Sequence, residues 1–109
     1  MPPMKYYCIA QMEITDRSWV PDYVENVTKM VEAAGGRYLA RTARVEKLTG
    51  DDEVPQFVLI IEWPSREAAL DFFASDAYRP YRENREAGAQ NEFLLVAGED
   101  IAKVAMVSD

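Results

Sequence analysis

The chain has no histidine among its 109 residues. That absence removes the Ser-His-Asp triad, the His–Cys nucleophile pair and the imidazole proton shuttle. It also removes His-ligated haem and zinc sites. Cysteine is nearly absent too: Cys8 stands alone, so no internal disulfide forms and a stapled secreted scaffold is excluded. Cys8 sits in an apolar run between Tyr7 and Ile9, and the expectation is a buried, inert thiol. Basic residues are in the minority, 12 against 19 acidic ones, for a net charge of −7. Phosphate binding needs a positive face, so a nucleic-acid partner is not expected. Arg79, Arg82 and Arg85 recur at helical spacing, but Glu83 and Glu86 interleave with them as on a mixed solvated face. No apolar stretch approaches the roughly 20 residues that cross a bilayer. The N-terminal run Met1-Pro2-Pro3-Met4-Lys5 lacks a signal-peptide pattern. No membrane association is expected, and a cytoplasmic location is.

Apolar residues make up 49% of the chain, enough for one core in a protein of this size. Lys5 to Ile14 reads as a strand, opened by β-favouring Tyr6 and Tyr7. Thr15-Asp16-Arg17-Ser18 offers capping side chains for a helix. In that helix Val20, Tyr23, Val24, Val27, Met30, Val31 and Ala34 fall three and four apart, one apolar stripe. Pro21 is tolerated in the first turn, and Gly35-Gly36 stops the helix. Arg37 to Glu46 predicts a second strand, 49–53 a polar turn, and Phe57 to Trp63 a third strand. Ser65 is placed to cap a second helix carrying Ala68, Ala69, Phe72 and Phe73; another helical stretch runs from about Ala77 to Ala87. Phe93 to Ala97 predicts the fourth strand, and residues 99–109 a tail of mixed character in which Ile101, Val104 and Val107 recur.

The order βαββαβ specifies an α+β, ferredoxin-like fold: a four-stranded antiparallel sheet with the helices on one face. Residues 1–98 are expected to form that domain. A half-solvated antiparallel sheet should alternate apolar and polar residues. Phe57-Val58-Leu59-Ile60-Ile61 and Phe93-Leu94-Leu95-Val96 do not alternate. Both faces therefore need cover, and the helices supply only one. A second copy, sheet against sheet, is the expected partner. The alternative is that the tail or the second helical stretch wraps the open face.

Several segments also resemble one family: Asp16 followed by Tyr23, Gly35-Gly36-Arg37-Tyr38-Leu39-Ala40-Arg41, Gly50, Glu62-Trp63-Pro64-Ser65, Ala68-Ala69, Ser75-Asp76-Ala77-Tyr78, Arg85 and Gly98. Together they are similar to the domain-of-unknown-function family numbered 1330, within the dimeric α+β barrel superfamily, from about Tyr7 to Gly98. The resemblance implies a ferredoxin-like fold that dimerises through its sheets. It brings no catalytic assignment. The wider superfamily holds cofactor-free monooxygenases, small-lactone isomerases, haem enzymes and ligand-sensing domains, so fold alone does not choose.

Arg41 and Glu62 are the first candidates for chemistry. A hairpin pairing Glu46 with about Phe57 sets Arg41 opposite about Glu62. There the guanidinium would grip a carboxylate or enolate and the carboxylate act as a base, or the two would form a cross-strand ion pair. Arg85 lies seven residues from Tyr78, two helical turns, on one face with it; it would bind an anionic group or occupy a surface or dimer rim. Tyr23 lies on the core stripe of the first helix, its hydroxyl free to serve a ligand or a carbonyl. Trp19 and Trp63 read as packing residues, and Asp51-Asp52-Glu53 as a solvated turn lacking the rest of a calcium loop. No cofactor or metal is expected. Two functions remain open. One is an enzyme performing proton transfer or cofactor-free oxidation on a small carbonyl or aromatic compound, with Arg41, Glu62, Tyr23 and Arg85 as polar contacts. The other is a non-catalytic ligand-binding or accessory dimer in which those residues are structural.

Overall fold

The two most apolar strands run through the centre of the sheet, where both flanks are paired. The computed structural model describes residues 4–102. Its elements are β1 (Tyr6–Ile14), α1 (Val20–Ala33), β2 (Arg37–Thr42), β3 (Phe57–Trp63), α2 (Arg66–Phe73), α3 (Arg79–Gly88) and β4 (Ala89–Ala97). The strand order is β2-β3-β1-β4, and every neighbour is antiparallel. This is the α+β, ferredoxin-like arrangement.

Alternation along each strand separates two faces. Ala10, Met12, Leu59, Ile61 and Trp63 turn inward and join Val27 and Val31 of α1, Ala69 of α2 and Tyr78 in one core. Gly36 lets this layer close: a Cβ there would lie 2.6 Å from Val31 and 3.1 Å from Trp63. The outward set crosses the sheet as an apolar band. Register aligns Leu94 with Ile9 and Ile9 with Ile60. Leu94 is 53% exposed, and Val96 on the same strand and Leu39 on the opposite edge strand are exposed too. Polar residues flank the band, with Gln11, Glu13 and Glu92 toward one end and Lys5, Arg37 and Glu62 toward the other.

Several boundaries differ from the sequence expectation. β2 ends at Thr42, not Glu46, because the Thr42 hydroxyl accepts from the Arg44 N–H at 2.9 Å and turns the chain out of the sheet. A register irregularity between Tyr38 and Ala40 also shifts its pairing. β4 starts at Ala89, four residues earlier than its apolar run, since Gln90, Asn91 and Glu92 continue the ladder with β1. α1 has Trp19 at its N-cap with no side-chain cap; Asp16 instead accepts from the Ser18 N–H at 2.9 Å. Ser65 does cap α2, accepting from the Ala68 N–H at 3.1 Å. Gly35, at φ 96°, ends α1 in left-handed backbone. Val104 and Val107, and with them most of the expected tail, lie outside the described residues. Among the described residues no helix is long and apolar enough to cross a membrane.

Candidate functional site

The helices do not sit flush on the sheet. Between α1, α2 and the inner face lies a cavity of about 300 Å³, at the lower end of the range for small-molecule sites. Its wall is almost wholly apolar and aromatic, with Met12, Phe57, Leu59, Phe72 and Phe93 among the contributors. Both tryptophans of the chain, Trp19 and Trp63, line it. Among the described residues no aspartate or glutamate does.

Two phenols meet on the cavity wall. The Tyr23 and Tyr78 hydroxyls lie 2.7 Å apart, each on a cavity-lining residue. Arg85 Nε donates to the Tyr78 oxygen at 3.3 Å, and Arg85 Nη1 donates to Asn91 Oδ1. Two hydroxyls joined by a single contact use one hydrogen, so the second is left to donate to another acceptor. Burial pushes the Tyr23 phenol well above the ordinary tyrosine range, with the neighbouring Tyr78 adding to the rise and Arg85 opposing it. Tyr23 therefore keeps its proton at neutral pH.

Arg85 is the anomaly of the structure. It is 1% exposed, the one charged side chain in the buried interior of the described residues. Its guanidinium stacks 4.0 Å from the Phe93 ring centre, and its Nη2 has no partner. No carboxylate pairs with it: the ion pairs among the described residues are Lys5–Glu62 and Arg79–Asp76. Burying an uncompensated cation costs several kcal/mol. A fold that keeps one presents an electropositive floor beneath the phenol pair.

The structure brings together three of the candidate residues, Tyr23, Tyr78 and Arg85, and separates the other two. Arg41 does not face Glu62. Its β2–β3 partner is Leu59, while Glu62 pairs with Arg37, because the hairpin turns four residues earlier and β2 carries its irregularity. Arg41 instead stands at the cavity rim. Its guanidinium stacks 4.0 Å over Tyr38, and Nη1 donates to the Thr28 hydroxyl at 2.7 Å. Burial raises the Tyr38 phenol, with the Arg41 charge opposing. Glu62 lies on the outer sheet face, where Lys5 Nζ approaches it at 3.2 Å.

Sequence reasoning missed Asn91. It falls between the expected end of the last helical stretch and the expected start of the fourth strand, and nothing local signals an arginine partner. It missed equally the carbonyl of Gly88, which accepts from Trp19 Nε1 at 3.1 Å and ties the cavity-lining indole to the end of α3. Cys8 faces the cavity, and burial raises its thiol from 9.0 to about 11, Arg85 pulling weakly the other way. A two-unit rise leaves about a hundredfold less thiolate. Native Cys8 should therefore react with a thiol reagent at least about a hundredfold more slowly at about pH 8 than the same chain in denaturant. Equal rates in the two states would contradict this placement. Among the described residues no three His, Cys, Asp or Glu side chains gather as a metal site would require.

Solved structures share this fold. The structure superposes on that of methylated RPA0582 with a TM-score of 0.75, at 16% identity over 90% of this chain and 83% of that one. The RPA0582 protein of unknown function from Rhodopseudomonas palustris gives 0.72, at 19% identity over 89% and 84%. SnoaB, a cofactor-independent oxygenase from Streptomyces nogalater, gives 0.56, at 16% identity over 89% and 95%. At these identities the likeness is one of fold. No curated protein matches the chain. Residues 5–99 match the family described as Domain of unknown function (DUF1330). That match spans the whole sheet, the three helices and the cavity, and the chain is a member of the DUF1330 family with an α+β fold that matches dimeric α+β barrel structures.

Proposed function

We propose that the protein binds a small aromatic or carbonyl compound in the cavity and stabilises negative charge on its oxygen, for cofactor-free proton transfer or oxygenation. The observation that carries this reading is Arg85: a buried cation without a carboxylate, hydrogen-bonded to one of two phenols on the cavity wall. Fixed donors aimed at a developing oxyanion in an apolar site are among the strongest catalytic devices proteins have. A ligand oxygen placed at the tyrosine pair would receive the uncommitted phenolic hydrogen, polarised through Tyr78 by the guanidinium.

Among the described residues no carboxylate lines the cavity, so a proton leaving the ligand carbon goes to water. The resulting enolate, held at the tyrosines, either regains a proton at its conjugated carbon or gives one electron to dioxygen. In the second course the radical pair joins through a new C–O bond, and protonation yields a hydroperoxide. A cofactor-independent oxygenase with the same fold supports the oxygenation branch. The missing carboxylate supports a second reading, a ligand-binding dimer without chemistry.

Because both tryptophans line the cavity, their fluorescence reports its occupancy. Titration with benzoylacetone, an aryl diketone, should quench it. Deuterium exchange at the diketone's central carbon and uptake of dissolved oxygen then measure the two reactions. Exchange or uptake that falls about a hundredfold in Tyr23→Phe supports the enzyme. Quenching with neither reaction supports the binding module. No quenching overturns both.

The reading includes a homodimer formed through the outer sheet face. The outward band supports it, with Leu94, Val96 and Leu39 exposed and Ile9 and Ile60 half-buried between them, since an apolar patch across a whole sheet is uncommon on a monomer. Light scattering at micromolar concentration should give twice the 12.4 kDa chain mass, and Leu94→Lys should shift the species toward monomer. A wild-type chain that scatters as a monomer would remove the dimer.

A further inference from the structure

Resting on the cavity reading above, we propose that the ligand is a carboxylic acid: an apolar body inside the cavity, with its carboxylate held at the rim by Arg41. Three observations converge on this side chain. First, Arg41 is pre-positioned. Tyr38 supports its plane at 4.0 Å, and Thr28 takes one Nη1 hydrogen at 2.7 Å while donating its own to the Val24 carbonyl at 2.5 Å. An exposed arginine ordinarily gains little from an ion pair because its long chain must first be ordered. Here stacking and Thr28 have already ordered it.

Second, the remaining N–H groups of its fork have no hydrogen-bond partner on the protein, among the described residues. Glu32, one turn beyond Thr28 on α1, is close enough to raise the Tyr38 phenol, yet it forms no ion pair with Arg41. Third, the charge is out of character with the molecule. The chain carries −7 overall, while among the described residues the cavity has one cation at its rim, another beneath its wall and no lining carboxylate. A planar guanidinium fork fits a carboxylate through two parallel hydrogen bonds. A lone arginine suits that monoanion better than a phosphate, which carries more charge. The carboxylate at Arg41 and the phenols on the cavity wall would then hold two different oxygens of one compound.

The test uses two isosteric probes, 4-acetylbenzoate and 4-acetylbenzamide, titrated against tryptophan fluorescence in the full chain. The carboxylate should bind about tenfold more tightly than the amide in the wild type. Arg41→Gln should abolish that preference while leaving amide affinity within about twofold, and Arg41→Lys should restore part of it, since an ammonium keeps the charge but not the fork. Added salt should narrow the gap. Equal affinities in the wild type, or a preference that survives Arg41→Gln, would overturn the carboxylate proposal and leave the cavity reading standing. Failure of both probes to bind would overturn the two together.

Discussion

The paired substitution Arg85→Met with Asn91→Leu is expected to make the protein more stable and functionally empty. Arg85 is buried without a countercharge, and its bonds to Tyr78 and Asn91 and its stacking on Phe93 are set against the lost hydration. Replacing buried ionic groups by apolar side chains of similar volume is often stabilising by about 1–4 kcal/mol. In a domain of this length that corresponds to a rise of at least about 4 °C in melting temperature. Arg85→Met alone strands the Asn91 oxygen and should fall below the double variant, since an orphaned buried acceptor costs about 1–3 kcal/mol. Removal of the cation should also weaken chemistry at the tyrosines about a hundredfold, the size of effect seen when one oxyanion donor is deleted. Stability gained where activity is lost marks a strained functional group. Thermal melts decide the matter: if the double variant melts well below the wild type, Arg85 is a structural prop and the proposed function loses its ground.

Gly88→Ala should be the most damaging single-methyl change in the chain. A Cβ at this position would lie 2.3 Å from Trp19 Nε1 and 2.4 Å from Trp19 Cδ1, distances no relaxed contact tolerates. The Gly88 carbonyl meanwhile accepts from the Thr15 and Asp16 N–H groups, both at 3.0 Å, as well as from the indole. The end of β1, the start of α1 and the end of α3 therefore meet at one residue, and the methyl would force them apart. Glycine to alanine is ordinarily stabilising by about 0.4–1 kcal/mol where the backbone permits it. Here overpacking should reverse the sign and cost about 2–4 kcal/mol, a fall of about 10 °C or more. Adding Trp19→Phe should recover part of the loss, giving a coupling of about 1 kcal/mol or more in the double-mutant cycle. A Gly88→Ala protein melting within about 2 °C of the wild type would refute the packing argument. Since Trp19 meets Tyr23 edge-on at 5.2 Å, the variant should also disturb the cavity.

The candidate site was partly legible. Tyr78 and Arg85 stand seven residues apart, and helical periodicity alone put them on one face, where the structure joins them by a hydrogen bond. Tyr23 was visible as a polar tip on an apolar stripe. The Arg41–Glu62 pairing was not recoverable: a strand register is set by where the hairpin turns, and an error of a few residues carried Glu62 to the wrong partner and Arg41 to the wrong surroundings. Asn91 was invisible because an isolated polar residue carries no sign of what approaches it from another element.

Local patterning by itself determined the order of elements, the fold class and the unusual greasiness of the sheet on both sides. Those properties depend on periodicity and on composition, which are present in any stretch of chain read alone. Only the tertiary structure decided which charges are paired. Whether an arginine meets a carboxylate, a phenol or nothing depends on residues brought together across 50 or more positions, as Tyr23 and Tyr78 are. The space left between helices and sheet is of the same kind: it is a difference between the positions of packed layers, and no residue records it individually.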